Sequence, residues 1–381
     1  MNTNNRRLVV GGLLSLALLA SACGSDSSSS DSTAAPTTGG STETTVGSET
    51  TAAETTAPSN LEATLNASGA TFPKTFYEEA IAVFTEANSG VTINYGGGGS
   101  GQGRQDLADQ KVDWAGTDGK IKDEDLPGFK GGDVLYFPTV VAPITVSYNL
   151  DGVEGLQLSA ETIAKIFQAE ITNWNDAAIA ADNPDATLPD QAITVVHRSE
   201  SSGTTGNFTK FLEKAAGPDA GGVWKLGTDS TVEWPASTQG AEGNGGVSSL
   251  ISSTKGAIGY VDLSDAIDSG LTYAKVKNKA GNYAEATLDN ASAAAEGAEI
   301  ADNLTFSAIW ADGDNAYPIT AQTWIIAYKK QTDAAKADAL KAFIKYILTD
   351  GQTLAPTVNY APLPKDLDDK AIAQLDAFEI G

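Results

Sequence analysis

The sequence V-V-H-R-S-E-S-S-G-T-T, residues 195–205, carries the strand–loop–helix signal from which we infer the fold. The β-branched run at residues 193–196 predicts a buried strand that ends at His197 and Arg198. A Ser/Gly/Thr turn follows, and the pattern N-F-T-K-F-L-E-K at residues 207–214 predicts a helix. Such a turn points free backbone N–H groups and the positive end of the helix dipole at one spot, an arrangement that binds anions.

Two charged residues strengthen this interpretation. Arg198 carries a planar guanidinium that suits a tetrahedral oxyanion, and Glu200 is close enough in sequence to orient it. The alternative is a solvated helix cap beside a surface ion pair, and this stretch alone does not decide between the two.

The charge of the chain excludes one class of partner. The 381 residues carry a formal net charge of −25, which argues against a nucleic-acid ligand. After the first 22 residues there are 22 basic and 49 acidic residues, and only two of the basic ones, Arg104 and Arg198, are arginine. Both lie next to Ser/Gly loops, which is suggestive in so acidic a chain.

The N-terminus predicts export. Arg6 and Arg7 precede the apolar run 8–20 and the small pair Ser21 and Ala22, so residues 1–22 are interpreted as a signal peptide. The following Cys23 completes a sequence similar to a bacterial lipobox, which predicts a lipid anchor on the extracytoplasmic face of the cell membrane. The alternative is an ordinary cleaved signal with an incidental cysteine. As the only cysteine, it forms no intramolecular disulfide. Residues 23–60 are interpreted as a disordered Ser/Thr-rich tether.

Folded sequence is predicted from Leu61 onward, and it contains two further strand–loop–helix signals. A-S-G-A-T-F-P (residues 67–73) places Thr71 and Phe72 at a helix start, and the glycine run 96–103 places Ser100 at another. The strand V-D-W-A-G-T-D ends at Asp118. A carboxylate suits an anion site only if the anion carries a proton, so Asp118 by itself is also explained as a turn residue.

The remaining pattern predicts an α/β fold with mostly parallel sheets. The longest apolar run, residues 134–148, contains Pro138 and Pro143 and suits a central strand that leaves one lobe and enters another. Strands are also predicted at residues 256–261 and 319–328, and helices at 334–348 and 369–378.

Catalytic motifs are poorly represented. A Ser–His–Asp triad would have to use His197, the only histidine, and no G-x-S-x-G turn is present. The stretch S-S-T-K (residues 252–255) matches a serine–lysine motif without its companions and is interpreted as a helix end. One histidine and one cysteine leave no transition-metal cluster, and there is no Walker A sequence. We therefore predict a binding protein, with no enzyme activity, no cofactor and no metal; a cell-surface phosphatase or serine hydrolase is the alternative from another class.

Several ordered motifs together resemble the phosphate-binding proteins of bacterial phosphate ABC importers. They are G-A-T-F-P (69–73), the glycine loop with Ser100, V-D-W-A-G-T-D (112–118), L-P-D-Q (188–191), V-V-H-R (195–198), S-G-T (202–204), S-T-V-E-W-P (230–235), G-A-I-G-Y-V (256–261) and Y-P-I-T (317–320). The resemblance runs from about residue 63 to 364. It implies a two-lobed periplasmic-binding-protein-like fold of type II with a hinge of crossing strands. Lobe I would comprise residues 61–141 and 319–381, and lobe II residues 142–318.

The resemblance also implies the ligand contacts. The implied phosphate-binding residues are Thr71, Phe72, Ser100, Asp118, Arg198, Ser202, Gly203 and Thr204. Glu200 stands where the family commonly has an aspartate that orients the arginine, so its longer side chain puts that contact in question. Arg104 matches no ligand of the family and is interpreted as a helix-surface residue.

The implied function is high-affinity binding of inorganic phosphate and delivery to the permease subunits of an ABC importer, by a monomeric, lipid-anchored chain. Phosphate keeps a proton at neutral pH that Asp118 can accept, whereas sulfate has none. The alternatives within the binding class are another protonated oxyanion, such as arsenate, and a role in phosphate sensing.

Overall fold

The computed structural model describes residues 61–381; the predicted signal peptide, Cys23 and tether lie outside this range. Within it, no helix has the length and apolar character needed to cross a membrane. The strands are β1 (Ala63–Gly69), β2 (Val91–Gly98), β3 (Trp114–Thr117), β4 (Val134–Tyr148), β5 (Gln157–Leu158), β6 (Thr194–Arg198), β7 (Gln239–Ala241), β8 (Ala257–Asp262), β9 (Thr272–Tyr273), β10 (Lys275–Lys277), β11 (Tyr283–Ala284), β12 (Thr320–Tyr328), β13 (Lys330–Gln331) and β14 (Glu379–Ile380).

The α-helices follow the strands through most of the chain. They are α1 (Lys74–Ala87), α2 (Gly99–Ala108), α3 (Ala160–Phe167), α4 (Ala177–Asp182), α5 (Gly203–Ala216), α6 (Gly243–Ser253), α7 (Leu263–Asp268), α8 (Leu288–Glu296), α9 (Ala334–Leu348) and α10 (Lys365–Gln374). Short 3₁₀ turns lie at Leu126–Gly128, Pro218–Ala220, Asp350–Thr353, Ala355–Val358 and Leu375–Ala377. Helix α6 ends at Ser253, so the S-S-T-K stretch is a helix end, as predicted.

One large sheet organises the fold. Its strand order is β2-β1-β3-β12-β4-β8-β6-β7, and β9 also pairs with β4. Strands β2, β1 and β3 are mutually parallel, as are β8, β6 and β7. The prediction of parallel pairing thus holds at both ends of the sheet. The centre is antiparallel, because β4 and β12 run past each other in opposite directions between the two parallel groups.

Strand β4 links the two halves of this sheet. It pairs with β12 up to Pro143, and from Ile144 onward it pairs with β8. Nearly all of its 15 residues are buried, which explains the continuous apolar run in the sequence. The two prolines, which cannot donate to a ladder, lie opposite Trp324 and Thr320 of β12, and the register shifts next to Trp324.

Together these elements form the α/β, two-lobed architecture that the sequence predicted. Each parallel group of strands, with its helices, belongs to one lobe, and β4 and β12 are the crossing strands. The residue boundaries given for the lobes remain a prediction.

Candidate anion-binding site

The ends of parallel strands bring the predicted ligand residues together. Strand β1 leads to Thr71 and Phe72, β2 leads to Ser100 in the first turn of α2, and β3 leads directly to Asp118. From the other half, β6 ends at Arg198, and α5 begins at Gly203. Ligands bind at this edge of parallel sheets because loops and helix N-termini converge there. Thr71 is partly buried, and the other seven predicted ligand residues are buried.

Asp118 lies at the bottom of the site, with 1% of its surface exposed. Its Oδ1 accepts a hydrogen bond from Thr323 Oγ1 at 2.7 Å, and its Oδ2 accepts one from Ser100 Oγ at 3.2 Å. The backbone carbonyl of Asp118 accepts from Asn207 Nδ2 at 2.8 Å. Thr323 belongs to β12 and Asn207 to α5, so the loop that holds the carboxylate is fixed by both lobes.

Burial changes the acidity of this carboxyl group. Desolvation raises the pKa of Asp118 to about 6, although hydrogen bonds from Thr323 and Ser100 and the charges of Arg198 and Arg104 oppose the rise. A buried carboxylate surrounded by a few donors is therefore poorly stabilised as a bare anion. A ligand that donates a hydrogen bond to it would supply what it lacks.

Gly203 lies at a close contact between the two lobes at the site. A β-carbon at this position would lie 2.3 Å from Ser100 Oγ and 2.5 Å from Asp118 Oδ2. No side chain larger than hydrogen fits here in the closed arrangement. The α5 backbone can thus pass directly against the residues that follow β2 and β3.

The first turn of α5 offers backbone donors to an anion. Ser202 caps this helix by accepting from Thr205 N at 3.1 Å. The Ser202 N–H donates to Ser230 O at 2.8 Å, and Gly206 N donates to Ser202 O at 3.0 Å. The N–H groups of Gly203 and Thr204 have no acceptor within the helix, as expected of a first turn. They are the donors that the sequence predicted.

Glu200 contacts Arg198 even though its side chain is longer than that of the aspartate common in the family. The Arg198 Nε donates to Glu200 Oε1 at 2.8 Å, and Nη2 contacts the same oxygen. Glu200 Oε1 also accepts from Gly243 N at 3.1 Å, which ties the pair to the start of α6. The remaining arm of the guanidinium, Nη1, donates to Thr204 Oγ1 at 3.2 Å. The side chain of Arg198 is 1% exposed, so its charge acts in a poorly screened environment.

Asn244, at the start of α6, is a site residue that sequence reasoning missed. Its backbone N–H donates to Thr71 Oγ1 at 3.2 Å, and its side-chain amide contacts Thr71 Oγ1 and Thr204 Oγ1, each at 3.2 Å. With the amide rotated by 180°, its oxygen accepts from Phe72 N at 3.2 Å and Arg198 Nη1 at 3.3 Å. We adopt the rotated form, because its oxygen then faces donors. The glycine-rich turn E-G-N-G-G (residues 242–246) after β7 is the signal that could have identified it.

His197 does not occupy a catalytic position, and Arg104 is not a helix-surface residue. His197 stacks on Trp234 with a ring separation of 5.0 Å, and burial lowers its pKa, so it packs in lobe II beside the site.

The interpretation of Arg104 as a helix-surface residue is wrong. Its Nη1 donates to Thr117 Oγ1 at 3.0 Å, and desolvation lowers its pKa, because the side chain lies over the end of β3 beside Asp118. The described residues contain no cluster of His, Cys, Asp and Glu suited to a metal ion.

Comparison with known proteins gives a consistent group of relatives. Residues 34–351 match the PBP superfamily domain. The phosphate-binding protein PstS of Xylella fastidiosa (strain Temecula1) is 34% identical over 332 residues, which cover 85% of this chain and 88% of that protein. The phosphate-binding protein PstS 3 of Mycobacterium tuberculosis (strain H37Rv) is 33% identical over 388 residues, covering 99% of this chain and 100% of the relative.

Solved structures show the same fold at lower identity. A high affinity periplasmic phosphate-binding protein (PfluDING) bound with phosphate superposes with a TM-score of 0.68 at 22% identity, covering 82% of this chain and 94% of that one. A putative phosphate ABC transporter substrate-binding protein from Clostridium perfringens, also with bound phosphate, gives a TM-score of 0.58 at 18% identity, covering 79% of this chain and 100% of that one.

Proposed function

This chain belongs to the PBP superfamily and, within it, to the phosphate-binding proteins of phosphate ABC importers, and we propose that it binds inorganic phosphate with high affinity outside the cytoplasm and delivers it to a permease. The ligand is phosphate itself, and the proposal requires no cofactor. Its role is binding rather than catalysis: the relatives are binding proteins, and the histidine that a triad would need stacks on Trp234.

One structural observation is the main support for phosphate as the ligand. The guanidinium of Arg198 and the N-terminus of α5 lie near a buried carboxylate, Asp118, and at Gly203 the α5 backbone comes directly against it. Arg198 and the N–H groups attract a tetrahedral oxyanion, whereas Asp118 repels one unless the anion carries a proton to donate. Phosphate at neutral pH keeps a proton and sulfate does not. A site that uses a ligand's hydrogen bond in this way rejects analogues lacking it by roughly 10⁴-fold or more.

The proposed ligand set is Thr71, Phe72, Ser100, Asp118, Arg198, Ser202, Gly203 and Thr204, with Glu200 orienting Arg198. The first four residues would belong to lobe I (61–141 and 319–381) and the others to lobe II (142–318). A bound phosphate would therefore favour the closed arrangement by bridging both lobes. In the full proposal the chain is a monomer, exported by its signal peptide and anchored through Cys23.

Calorimetric titration of the full chain in detergent with phosphate, and then with sulfate, tests the proposal. We expect phosphate to bind at least roughly 10⁴-fold more tightly than sulfate. The variant Asp118→Asn should lose most of this discrimination, because its amide can donate to sulfate. The variant Asp376→Asn removes the charge of an exposed carboxylate and should behave as wild type. Failure of the wild-type chain to bind phosphate would refute the function. An unchanged selectivity in Asp118→Asn would refute the role of Asp118.

A further inference from the structure

A cavity of about 510 Å³ reaches the candidate site from the side of Asp118 and Gly203, both of which line it. Its walls come from both lobes and from β12. Four basic residues line it: Arg104, Lys120, Lys122 and Lys210. Besides Asp118, Asp229 is its one acidic lining residue. We call it the basic cavity.

Half of this positive charge is not balanced by the two carboxylates of the lining. Lys122 pairs with Asp229 at 2.7 Å, which accounts for one of the four. Among the described residues, Lys120 and Lys210 have no carboxylate partner, and the one hydrogen bond of the Arg104 guanidinium goes to a threonine hydroxyl. Burial and the neighbouring charge of Lys214 lower the pKa of Lys210. The basic cavity therefore carries excess positive charge in a chain of net charge −25.

A second cavity of about 710 Å³ reaches the site through Thr71 and has the opposite charge. Its charged lining residues are Lys74, Glu78, Glu242 and Asp265, and it shares no lining residue with the basic cavity. We call it the acidic cavity. An anion that approaches the site meets attraction on one side and repulsion on the other.

We propose that the basic cavity is the entrance through which phosphate is captured, and that its unpaired charges raise the rate of association. This inference rests on the proposed function of the adjoining site and concerns the kinetics of that site. The charges act on a dianion while the lobes are open, before Arg198 and the backbone donors engage it. They are needed because the summed negative charge of the chain opposes the approach of any anion.

The size of the effect follows from screened Coulomb attraction. A unit charge roughly 8 Å from a dianion, at about one Debye length in physiological salt, changes the encounter rate by about twofold. Removal of two such charges should lower the association rate constant by about threefold to fourfold. At high salt the difference should disappear, because screening removes the contribution of exposed charges. The dissociation rate constant should not change, since neither lysine belongs to the proposed ligand set.

Stopped-flow fluorescence of the full chain mixed with inorganic phosphate tests the proposal; Trp324, in the cavity wall, supplies the signal. The variant is Lys120→Gln/Lys210→Gln, and the control is Lys345→Gln/Lys370→Gln, which removes two exposed charges on α9 and α10. The single variant Lys120→Gln, at an exposed position, serves if the double variant is unstable. Slower association than in the control, at low salt only, supports the entrance. Association equal to the control, or a change confined to dissociation, overturns it. If the wild-type chain binds no phosphate, the proposed function itself fails.

Discussion

Gly203→Ala tests whether the observed contact between the lobes is the ligand-bound geometry. The added methyl carbon would lie 2.3 Å from Ser100 Oγ, 2.5 Å from Asp118 Oδ2 and 2.6 Å from Asp118 Cβ. These atoms need roughly 3.5 Å of separation, so the lobes must part by about 1 Å to accept the methyl group. Within α5 itself alanine is favourable, because it is a better helix former than glycine by about 1 kcal/mol.

The cost to binding follows from that displacement. A hydrogen bond of about 3 Å that is stretched by about 1 Å is essentially lost. A ligand bridging the lobes would thereby lose its contacts to Ser100 and Asp118. Hydrogen bonds to charged groups contribute about 1.5–3 kcal/mol each, so the two together are worth about 3–6 kcal/mol. We expect the dissociation constant for phosphate to rise by roughly 10²- to 10⁴-fold.

Calorimetric titration with phosphate, combined with thermal unfolding of the ligand-free chain, separates this effect from misfolding. Gly206→Ala is the matched control, because the same substitution one turn further along α5 places its methyl group no closer than 3.7 Å to any neighbour. The Tm of both ligand-free variants should equal or exceed that of wild type, while only Gly203→Ala should bind weakly. If Gly203→Ala binds phosphate within about threefold of Gly206→Ala, the reasoning from lobe contact is wrong.

The remaining predictions concern three other residues. Since the pKa of Asp118 is raised to about 6, the free energy of unfolding of the ligand-free chain should fall by about 2 kcal/mol as pH rises from 4 to 6, and urea unfolding of Asp118→Asn should lack this component. Asn244→Ala removes partners of Thr71 and Thr204, so calorimetry should show phosphate binding weakened by about fivefold to tenfold; an unchanged dissociation constant would count against a positioning role. Glu200→Gln should lower the free energy of unfolding by about 2 kcal/mol, because it removes the charge that faces a buried guanidinium; equal urea midpoints for variant and wild type would contradict this.

Local signals were sufficient for the parts of the site that are contiguous in the chain. The turns at Thr71, Ser100 and Ser202 each combine a strand end, small residues and a helix start, and the structure contains all three as predicted. Parallel pairing of β1 and β2 brings the turns at Thr71 and Ser100 to one edge of the sheet. The turn at Ser202 follows β6, which belongs to the other parallel group, beyond the antiparallel β12 and β4. The structure places all eight predicted ligand residues around one point, although their role as ligands stays a prediction.

Contacts made by residues distant in sequence could not be predicted. Thr323 lies in a fully buried strand whose pattern indicates only a central position, yet its hydroxyl donates to Asp118, 205 residues earlier. Asn244 follows a strand of three residues, which is too short to give a period-two signal. Arg104 was wrongly assigned to the helix surface because helical periodicity predicts which face of a helix a residue occupies but not whether that face borders a cavity. Each of these depends on which strands become neighbours, which is a property of the whole sheet.

The exchange of partners by β4 has a consequence for evolution and engineering. Strand β4 leaves β12 and joins β8 between Pro143 and Ile144, and its two prolines take donors out of the ladder along this crossing. Substitutions at the crossing should therefore change how often the empty protein visits its closed form without altering any atom that would touch phosphate. Affinity could be raised or lowered there by conformational preference alone, with the discrimination between anions left intact.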